Sequence, residues 1–287
     1  MSANRESVVL GDGRRLGVGQ TGAPDGSPIF YFHGHPGSRR DLDFIDAEDS
    51  AVDVGVRVLA LERPGYGLSS EQPGRTLLDW PKDVAAVADA FGVDRFSVVG
   101  YSGGGPYALA CAAALPDRVS QATVVAGVGP ADAPGQKNSP GWVYSRARGP
   151  VRDGLMRATA WAARVPDAMA LPVARAALPK PDRQALRADK RVGQGLMATW
   201  REAFRETHRG AVQDAEIYAE PWGFAPEAVA VPVVLWHGRA DANVPFSVGE
   251  YVADLVQPER TEFLEDEGHL SIWTNHASTI WAAATPT

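Results

Sequence analysis

The hydrophobic residues of this chain fall into short apolar runs that alternate with longer segments of helical spacing. Runs of four to eight apolar residues bounded by glycine, proline or charged residues are typical of buried strands. They predict strands at 28–33, 54–61, 95–100, 122–126, 231–236 and 261–264. Helical spacing or alanine-rich sequence predicts helices at 41–52, 77–91, 103–115, 246–256 and 272–284. A hairpin is predicted over 6–20, with its turn at Gly11-Asp12-Gly13.

This alternation predicts the fold class. Strands separated by helices form a mostly parallel sheet flanked by helices, an α/β architecture in which ligands bind at the carboxyl ends of the strands. Between 129 and 225 the alternation stops, and the pattern is helical with frequent prolines. We therefore predict an α/β core made of residues 1–128 and 226–287. Residues 129–225 are predicted to form an inserted helical lid, or cap, over the strand ends.

One stretch of the predicted core carries a chemical signal at such a strand end. Gly100, Ser102 and Gly104 fit the G-x-S-x-G pattern of a nucleophile elbow, in which a serine occupies a sharp turn between a strand and a helix. The predicted strand before it and the alanine-rich helix after it supply that context. Pro106 falls in the first turn of the helix, where proline is tolerated. The positive end of the helix points toward the serine and favours an anion there.

Composition narrows the classes of function. Of the 287 residues, 45% are hydrophobic and 22% are charged, as in soluble globular proteins. No apolar run is long enough for a signal peptide or a membrane span, which predicts a cytoplasmic protein. A net charge of −7 without an aromatic-studded basic stripe argues against a nucleic-acid partner. We expect no metal and no cofactor, because neither metal-ligand spacing nor a phosphate-binding loop is present. The sequence leaves a homodimer open.

The charges are unevenly distributed along the chain. Residues 137–209 carry 15 Lys and Arg against 6 Asp and Glu, whereas the rest of the chain carries 13 against 29. Two interpretations stay open: most of these arginines are solvated or paired with the acidic core, or some of them favour an anionic substrate. The single cysteine, Cys111, falls inside the helix after the elbow, which predicts buried packing.

Further motifs also lie at predicted strand ends. They are an HGxP-like turn at His33 to Pro36, an ERPGYGLS loop at Glu62 to Ser69, the segment from Trp236 to Asp241, and the Glu-Gly-His sequence that ends at His269. With the elbow, these motifs resemble the α/β-hydrolase fold enzymes over nearly the whole chain, the lid excepted. The chain departs from the family in having Glu62 where Asp is usual. We interpret that change as structural, because the loop supplies no proton transfer.

The resemblance implies a catalytic triad of Ser102 as nucleophile, His269 as base and Asp241 as the acid that orients the base. The chain order Ser, Asp, His is the order that such hydrolases use. A serine hydroxyl is a poor nucleophile at neutral pH, so an imidazole takes its proton and later gives it to the leaving group. His276 suits the role of base less well, because it falls within the closing helix. A salt-bridged surface aspartate is the alternative interpretation of Asp241.

The resemblance also implies an oxyanion hole formed by the backbone N–H groups of His35 and Gly103. Two such donors receive the negative charge of a tetrahedral intermediate. The side chain of His35 either lines the pocket or faces solvent, and the sequence leaves both open. The His35-Pro36 bond is a candidate for the cis form.

The nucleophile narrows the reaction. Because the related epoxide hydrolases and haloalkane dehalogenases have Asp where this chain has Ser102, we expect acyl transfer to water from a small carboxylic ester, lactone or related acyl substrate. Proline iminopeptidase-like and carbon–carbon bond hydrolase activities are alternatives, although a basic lid counts against the peptidase. A catalytically weak ligand-binding receptor or scaffold is the alternative from another class. We expect Tyr101, Trp200 and Trp222 to contribute to the substrate pocket, with the lid residues Met156, Met169 and Met197.

Overall fold

A computed structural model describes residues 6–45 and 47–285. The described strands form one sheet in the order β1-β2-β4-β3-β5-β6-β7-β8. Their bounds are β1 (Glu6–Val9), β2 (Arg15–Gly22), β3 (Ser27–Phe32), β4 (Val56–Leu61), β5 (Phe96–Tyr101), β6 (Val119–Val125), β7 (Val233–Gly238) and β8 (Arg260–Leu264). Strand β2 pairs antiparallel with β1 and β4, and every other pairing is parallel. The sheet is therefore mostly parallel, as predicted.

Helices connect the strands and cover both faces of the sheet. Their bounds are α1 (Asp41–Phe44), α2 (Ala47–Asp53), α3 (Trp80–Ala90), α4 (Gly105–Ala114), α5 (Pro140–Arg146), α6 (Gly149–Ala162), α7 (Asp167–Ala177), α8 (Lys180–Ala188), α9 (Lys190–Ala203), α10 (Arg209–Ile217), α11 (Phe246–Val256) and α12 (Ser271–Ala283). The predicted core elements other than the helix over 41–52 are present, with shifts at their ends. The prediction of one helix over 41–52 is wrong, because the backbone leaves helical geometry at Ile45 and divides it into α1 and α2.

The hydrophobic core lies on the two faces of the sheet. Alternate side chains of β3, β4 and β5 point to opposite faces, as the two-residue period of a strand requires. One face packs against α3, α4 and α11, and the other against α1, α2 and α12. The middle strand β5 is buried along its whole length. It therefore carries the elbow serine to a fixed place at the sheet's carboxyl edge.

Helices α5–α10 join the end of β6 to the start of β7, and we call them the helical insertion. The backbone of the insertion is in direct contact with the backbone of the core at one point. A Cβ added at Gly210 of α10 would lie 2.5 Å from the carbonyl carbon of Gly65, and one added at Gly65 would lie 2.7 Å from the Cα of Gly210. The division of the chain at 129 and 225 into core and lid remains a prediction. Among the described residues, no helix combines the length and the apolar character that a membrane crossing needs.

Candidate active site

Ser102 occupies a sharp turn directly after β5. Its φ is +53°, in the left-handed region that residues other than glycine rarely adopt. The glycines around it are required by close packing. A Cβ at Gly100 would lie 2.3 Å from the carbonyl oxygen of Gly104, and one at Gly104 would lie 2.1 Å from that of Phe32. The G-x-S-x-G spacing thus lets strand and helix approach closely while the serine stands at the apex.

The structure brings Ser102, His269 and Asp241 together in a hydrogen-bonded line. The Oγ of Ser102 lies 3.0 Å from the Nε2 of His269, and the Nδ1 of His269 lies 2.7 Å from the Oδ2 of Asp241. Asp241 follows β7, and His269 lies in the loop between β8 and α12. The other carboxylate oxygen of Asp241 accepts the backbone N–H groups of Asn243 and Val244 at 2.8 and 2.9 Å. Asp241 is therefore a buried, oriented acid and not a surface aspartate.

The electrostatics of His269 suit a proton acceptor. Burial opposes its protonation, but the charge of Asp241 and the hydrogen bond between them outweigh burial and raise the pKa of the imidazole above its ordinary value. His276 lies elsewhere, within α12, where its Nε2 is 2.9 Å from a carboxylate oxygen of Glu267. His276 therefore pairs with Glu267 and is not part of the hydrogen-bonded line of Ser102, His269 and Asp241.

The predicted oxyanion residues are neighbours beside the elbow. A Cβ added at Gly103 would lie 2.8 Å from the Cβ of His35, and the hydroxyl of Tyr218 donates to the carbonyl of Gly103 at 2.8 Å. The bond between His35 and Pro36 is cis. The His35 side chain is only 10% exposed, and its Nδ1 lies 2.9 Å from the hydroxyl oxygen of Tyr66. Of the two open interpretations, the solvent-facing one is wrong.

Buried polar groups hold the turn that contains His35. The carboxylate of Asp41 accepts the N–H of Gly34 at 3.0 Å and the hydroxyl of Thr199 at 2.5 Å. Thr199 belongs to α9 of the helical insertion, and its oxygen accepts the N–H of Ser38 at 3.0 Å. A core carboxylate and an insertion hydroxyl thus fix the turn from both ends.

Asp182 holds the loop of His269 and was not identified from the sequence. This residue of α8 is fully buried, and its carboxylate accepts the backbone N–H groups of His269, Leu270 and Ser271 at 3.2, 3.0 and 2.9 Å. Burial raises the pKa of Asp182, whereas these hydrogen bonds favour its charged form. A Cβ at Gly268 would lie 2.4 Å from its Oδ1. No motif or periodicity signals this contact, because it depends on how α8 meets a distant loop.

Asp214 of α10 forms a second buried ionic centre. It accepts hydrogen bonds from Arg63 at 2.8 Å, from Arg75, from Tyr66 at 2.9 Å and from Tyr107 at 2.6 Å. Burial opposes its ionisation, but the two guanidinium groups outweigh burial and lower the pKa of Asp214 well below its usual range. Arg63 also donates to the carbonyls that precede His35. Arg63 therefore links the insertion to the turn that contains His35.

Two cavities meet at the candidate triad, with volumes of about 200 and 270 Å³. Both are lined by His35, Pro36, Ser102, Asn243 and His269. Tyr101 and Trp200 line the larger cavity, as predicted. Trp222 lines neither: it is buried against the core and stacks on Phe224 with ring centroids 5.7 Å apart. The assignment of Trp222 to the pocket is wrong, because its segment returns to the core beside α3 and α4.

Two of the three methionine expectations need a similar correction. Met156 lines the smaller cavity, but Met169 is 66% exposed on α7 and Met197 is buried within α9 away from both cavities. Among the described residues that line the two cavities, none is Lys or Arg. The described arginines of the insertion therefore lie outside these two walls, and the interpretation in which some of them favour an anionic substrate stays a prediction. No group of three or more His, Cys, Asp or Glu within the described ranges is arranged to hold a metal ion.

Comparisons with known proteins identify the fold family. A family model described as alpha/beta hydrolase fold matches residues 27–276. The non-heme chloroperoxidase of Streptomyces lividans is 35% identical over 43% of this chain and 45% of its own length. The bifunctional esterase/perhydrolase DCH of Acinetobacter calcoaceticus is 34% identical over 43% of this chain and 45% of its own length. This chain thus aligns with less than half the length of these curated relatives.

Among solved structures, a hydrolase from Pseudomonas aeruginosa PA01 is similar over 99% of this chain and 98% of its own, with a TM-score of 0.71 and 20% identity. At that identity the likeness concerns the fold alone.

Proposed function

Since the chain belongs to the α/β-hydrolase fold family, we propose that it is a serine hydrolase that transfers the acyl group of a small carboxylic ester or lactone to water. The observation that carries this proposal is the line from Ser102 through His269 to Asp241, with separations of 3.0 and 2.7 Å. A hydroxyl, an imidazole and a carboxylate in that order are the parts that acyl transfer by a serine requires.

The geometry supports a two-step reaction. As the Oγ of Ser102 attacks the carbonyl carbon, the Nε2 of His269 takes its proton, and Asp241 stabilises the imidazolium without being protonated itself. The N–H groups of Gly103 and His35 receive the negative charge on the carbonyl oxygen. His269 then gives its proton to the departing alcohol, leaving an acyl-serine. Water attacks that ester by the same route in reverse, which releases the acid and restores Ser102.

The peptidase alternative lacks a specific supporting contact. A peptidase that binds a substrate ammonium needs a free carboxylate in its pocket. Among the described residues that line the two cavities, the acidic one is Asp41. Its carboxylate already accepts hydrogen bonds from the N–H of Gly34 and the hydroxyl of Thr199, so it is not free to bind an ammonium. A weak binding receptor would not need the complete hydrogen-bonded line. No second function is therefore proposed.

Labelling with a fluorophosphonate and hydrolysis of p-nitrophenyl butanoate test the proposal. Ser102→Ala is expected to lose the label and to lower kcat by roughly 10⁴-fold or more, and His269→Ala by a similar factor. The matched control is Ser97→Ala, because Ser97 is a buried serine on β5, the strand that precedes Ser102, and its hydroxyl lies 3.2 Å from that of Ser120. Full turnover in Ser102→Ala, or labelling that persists in it, contradicts the proposal.

A further inference from the structure

Helix α7 of the insertion has an exposed face that is entirely apolar. Six of its eleven residues are exposed, and they are Ala168, Met169, Pro172, Val173, Ala176 and Ala177. At about 3.6 residues per turn, these positions lie side by side on one half of the helix. Met169 and Val173, one turn apart, are 66% and 72% exposed. The helix thus presents the kind of face that a helix of a globular protein normally buries.

The next helix has the ordinary arrangement. Helix α8 buries Asp182 and Ala185. Its exposed residues are Lys180, Gln184, Arg187 and Ala188, most of which are polar. The apolar outer face is therefore a property of α7 and not of the insertion's surface in general.

Basic side chains lie at both ends of this face. Arg164 precedes α7, Arg175 lies in its last turn, and Lys180, Arg183 and Arg187 follow in α8. None of these five pairs with a carboxylate in the described part of the chain, although Arg183 donates to the carbonyl of Leu178 at 2.9 Å. Their positive charge is therefore available to a partner.

The acidic side chains in the same stretch are already engaged. Asp167 pairs with Arg201, and Asp189 pairs with Arg191. Asp182 is buried and accepts the backbone N–H groups of the His269 loop. The surface around α7 therefore combines an apolar centre with positive charge at its border.

This combination matches the surface of a bilayer that contains acidic lipids. Apolar side chains of a surface-bound helix enter the boundary between headgroups and acyl chains, while Lys and Arg reach the lipid phosphates. The eleven residues of α7 are about half of what a membrane crossing needs, so the helix suits a position in the plane of the interface. Outside residues 137–209 the chain carries 13 Lys and Arg against 29 Asp and Glu. An acidic membrane thus attracts the insertion and repels the core.

A second copy of the chain suits this face less well. Two copies joined through α7 would bring the same cations together, which opposes association. The acidic core of another copy has no matching apolar face in its described residues. The large hydrophobic side chains exposed there are Val9 of β1 and Val52 of α2, which lie on separate elements.

The apolar face of α7 also continues toward the candidate site. Ala174, Ala177 and Leu178 line the larger cavity, which Ser102 and His269 line as well. Ala177 is at the same time one of the six exposed residues. A bilayer that covers α7 therefore lies beside the wall of the cavity in which the candidate nucleophile is found.

From these observations we infer that α7 docks the protein on bilayers that contain acidic lipids. Met169 and Val173 enter the interface, and Arg164, Arg175 and Lys180 bind lipid phosphates. The inference goes beyond the proposed function and does not require it, because docking is measurable without catalysis.

Cosedimentation of the full chain with vesicles tests the inference. We expect the protein to sediment with vesicles of phosphatidylcholine and phosphatidylglycerol and to stay in solution with phosphatidylcholine alone. High salt should weaken the binding, because it screens the attraction between the cations and the phosphates. Ser102→Ala should bind as the unmodified protein does, which separates docking from hydrolysis.

Matched variants then assign the binding to α7. Val173→Asp is expected to lower the partition coefficient on the acidic vesicles by at least about tenfold, because it places a charge in the apolar face. Val9→Asp is the control: it adds the same charge at a valine of nearly equal exposure, 71% against 72%, on the core. Arg164→Gln and Lys180→Gln should each lower the partition coefficient about fivefold. Circular dichroism checks that each variant is folded.

The contrary outcomes are distinct. Absence of binding to the acidic vesicles overturns the inference, as does an equal effect of Val173→Asp and Val9→Asp. Sedimentation velocity without vesicles tests the other occupant: a dimer that Val173→Asp dissociates would mean that α7 contacts a second copy, and the inference fails. Vesicle binding without any Ser102-dependent hydrolysis would remove the proposed function and leave the docking in place.

Discussion

The two halves of the helical insertion differ in how they relate to the core. Helices α8, α9 and α10 each place a buried polar side chain on a loop that serves the candidate site, and these are Asp182, Thr199 and Asp214. Helices α5, α6 and α7 pair their polar side chains mainly within the insertion, as Arg152 does with Glu216. They also carry most of the large hydrophobic side chains that are exposed in the described ranges: Val143, Val151, Trp161, Met169 and Val173.

This difference teaches that the insertion is not a uniform cover. Its α8–α10 half supplies hydrogen bonds that the loops of His269 and His35 lack from the core alone, so it is part of the site's construction. Its α5–α7 half has little that binds it to the core, and α7 buries no residue. If the insertion moves, the structure favours motion in the α5–α7 half, since segments with few buried contacts open at lower free energy.

The largest expected effect is on stability, and it compares an ionic contact of the α8–α10 half with one of the α5–α7 half. Asp214→Asn leaves Arg63 and Arg75 as buried charges without their carboxylate, and we expect it to destabilise the protein by about 3–5 kcal/mol. Asp167→Asn removes the partly exposed pair with Arg201 and should cost no more than about 1 kcal/mol. Urea unfolding measures both.

The pH dependence of that loss follows from the sign of the pKa shift. The folded pKa of Asp214 lies below its unfolded value, so its stabilisation is complete above about pH 4 and is lost only as pH falls through the folded pKa. The difference between the unmodified protein and Asp214→Asn should therefore be the same at pH 5 and pH 8. Equal losses of unfolding free energy for Asp214→Asn and Asp167→Asn would contradict the difference between the two halves of the insertion.

Two methionines test the same contrast in packing. Met197 of α9 is 1% exposed and Met169 of α7 is 66% exposed. Met197→Ala is expected to cost about 2–5 kcal/mol through the lost burial and the cavity left behind. Met169→Ala should stay within about 0.5 kcal/mol of the unmodified protein. Thermal or urea unfolding measures the stability of both variants. A large loss of unfolding free energy for Met169→Ala would show that α7 packs against the rest of the protein.

The smallest expected effect concerns the proton affinity of His269. Asp182 adds to the negative charge around the imidazole, which Asp241 dominates, while Tyr101 and His237 also lie near the pair. In the proposed reaction neutral His269 accepts the proton of Ser102, so kcat/KM should fall as pH drops through the pKa of this histidine. Asp182→Asn lowers that pKa and moves the acid limb to lower pH.

The pH profile separates this role from a merely structural one. Damage to the loop would lower kcat/KM without moving the acid limb. Asp189→Asn is the control, because Asp189 pairs with Arg191 at the exposed start of α9. A limb that stays fixed in Asp182→Asn would mean that Asp182 holds the loop without tuning the base.

Much of the core was predictable because its signals are local. Strand runs, helical spacing and glycine-bounded turns identify the sheet, and the elbow motif identifies Ser102 because close packing forces glycine at Gly100 and Gly104. The division between α1 and α2 was missed, since both apolar spacing and composition suit one continuous helix there. Prolines indicated a helical insertion but not where each of its helices ends.

The remainder of the site depends on contacts that no local pattern records. Trp222 was assigned to the pocket because an aromatic residue of the insertion suits either a cavity or a core, and only the path of its segment distinguishes the two. Asp182 carries no motif at all. Its position follows from how α8 meets the loop of His269, which lies far away in sequence.

The touching glycines of α10 and the loop after β4 have a consequence for inheritance. Because neither Gly65 nor Gly210 has room for a side chain, a gene exchange that replaced the insertion alone would succeed only in a recipient that already has glycine at the earlier position. The two codons lie far apart, yet the residue allowed at one position depends on the residue at the other.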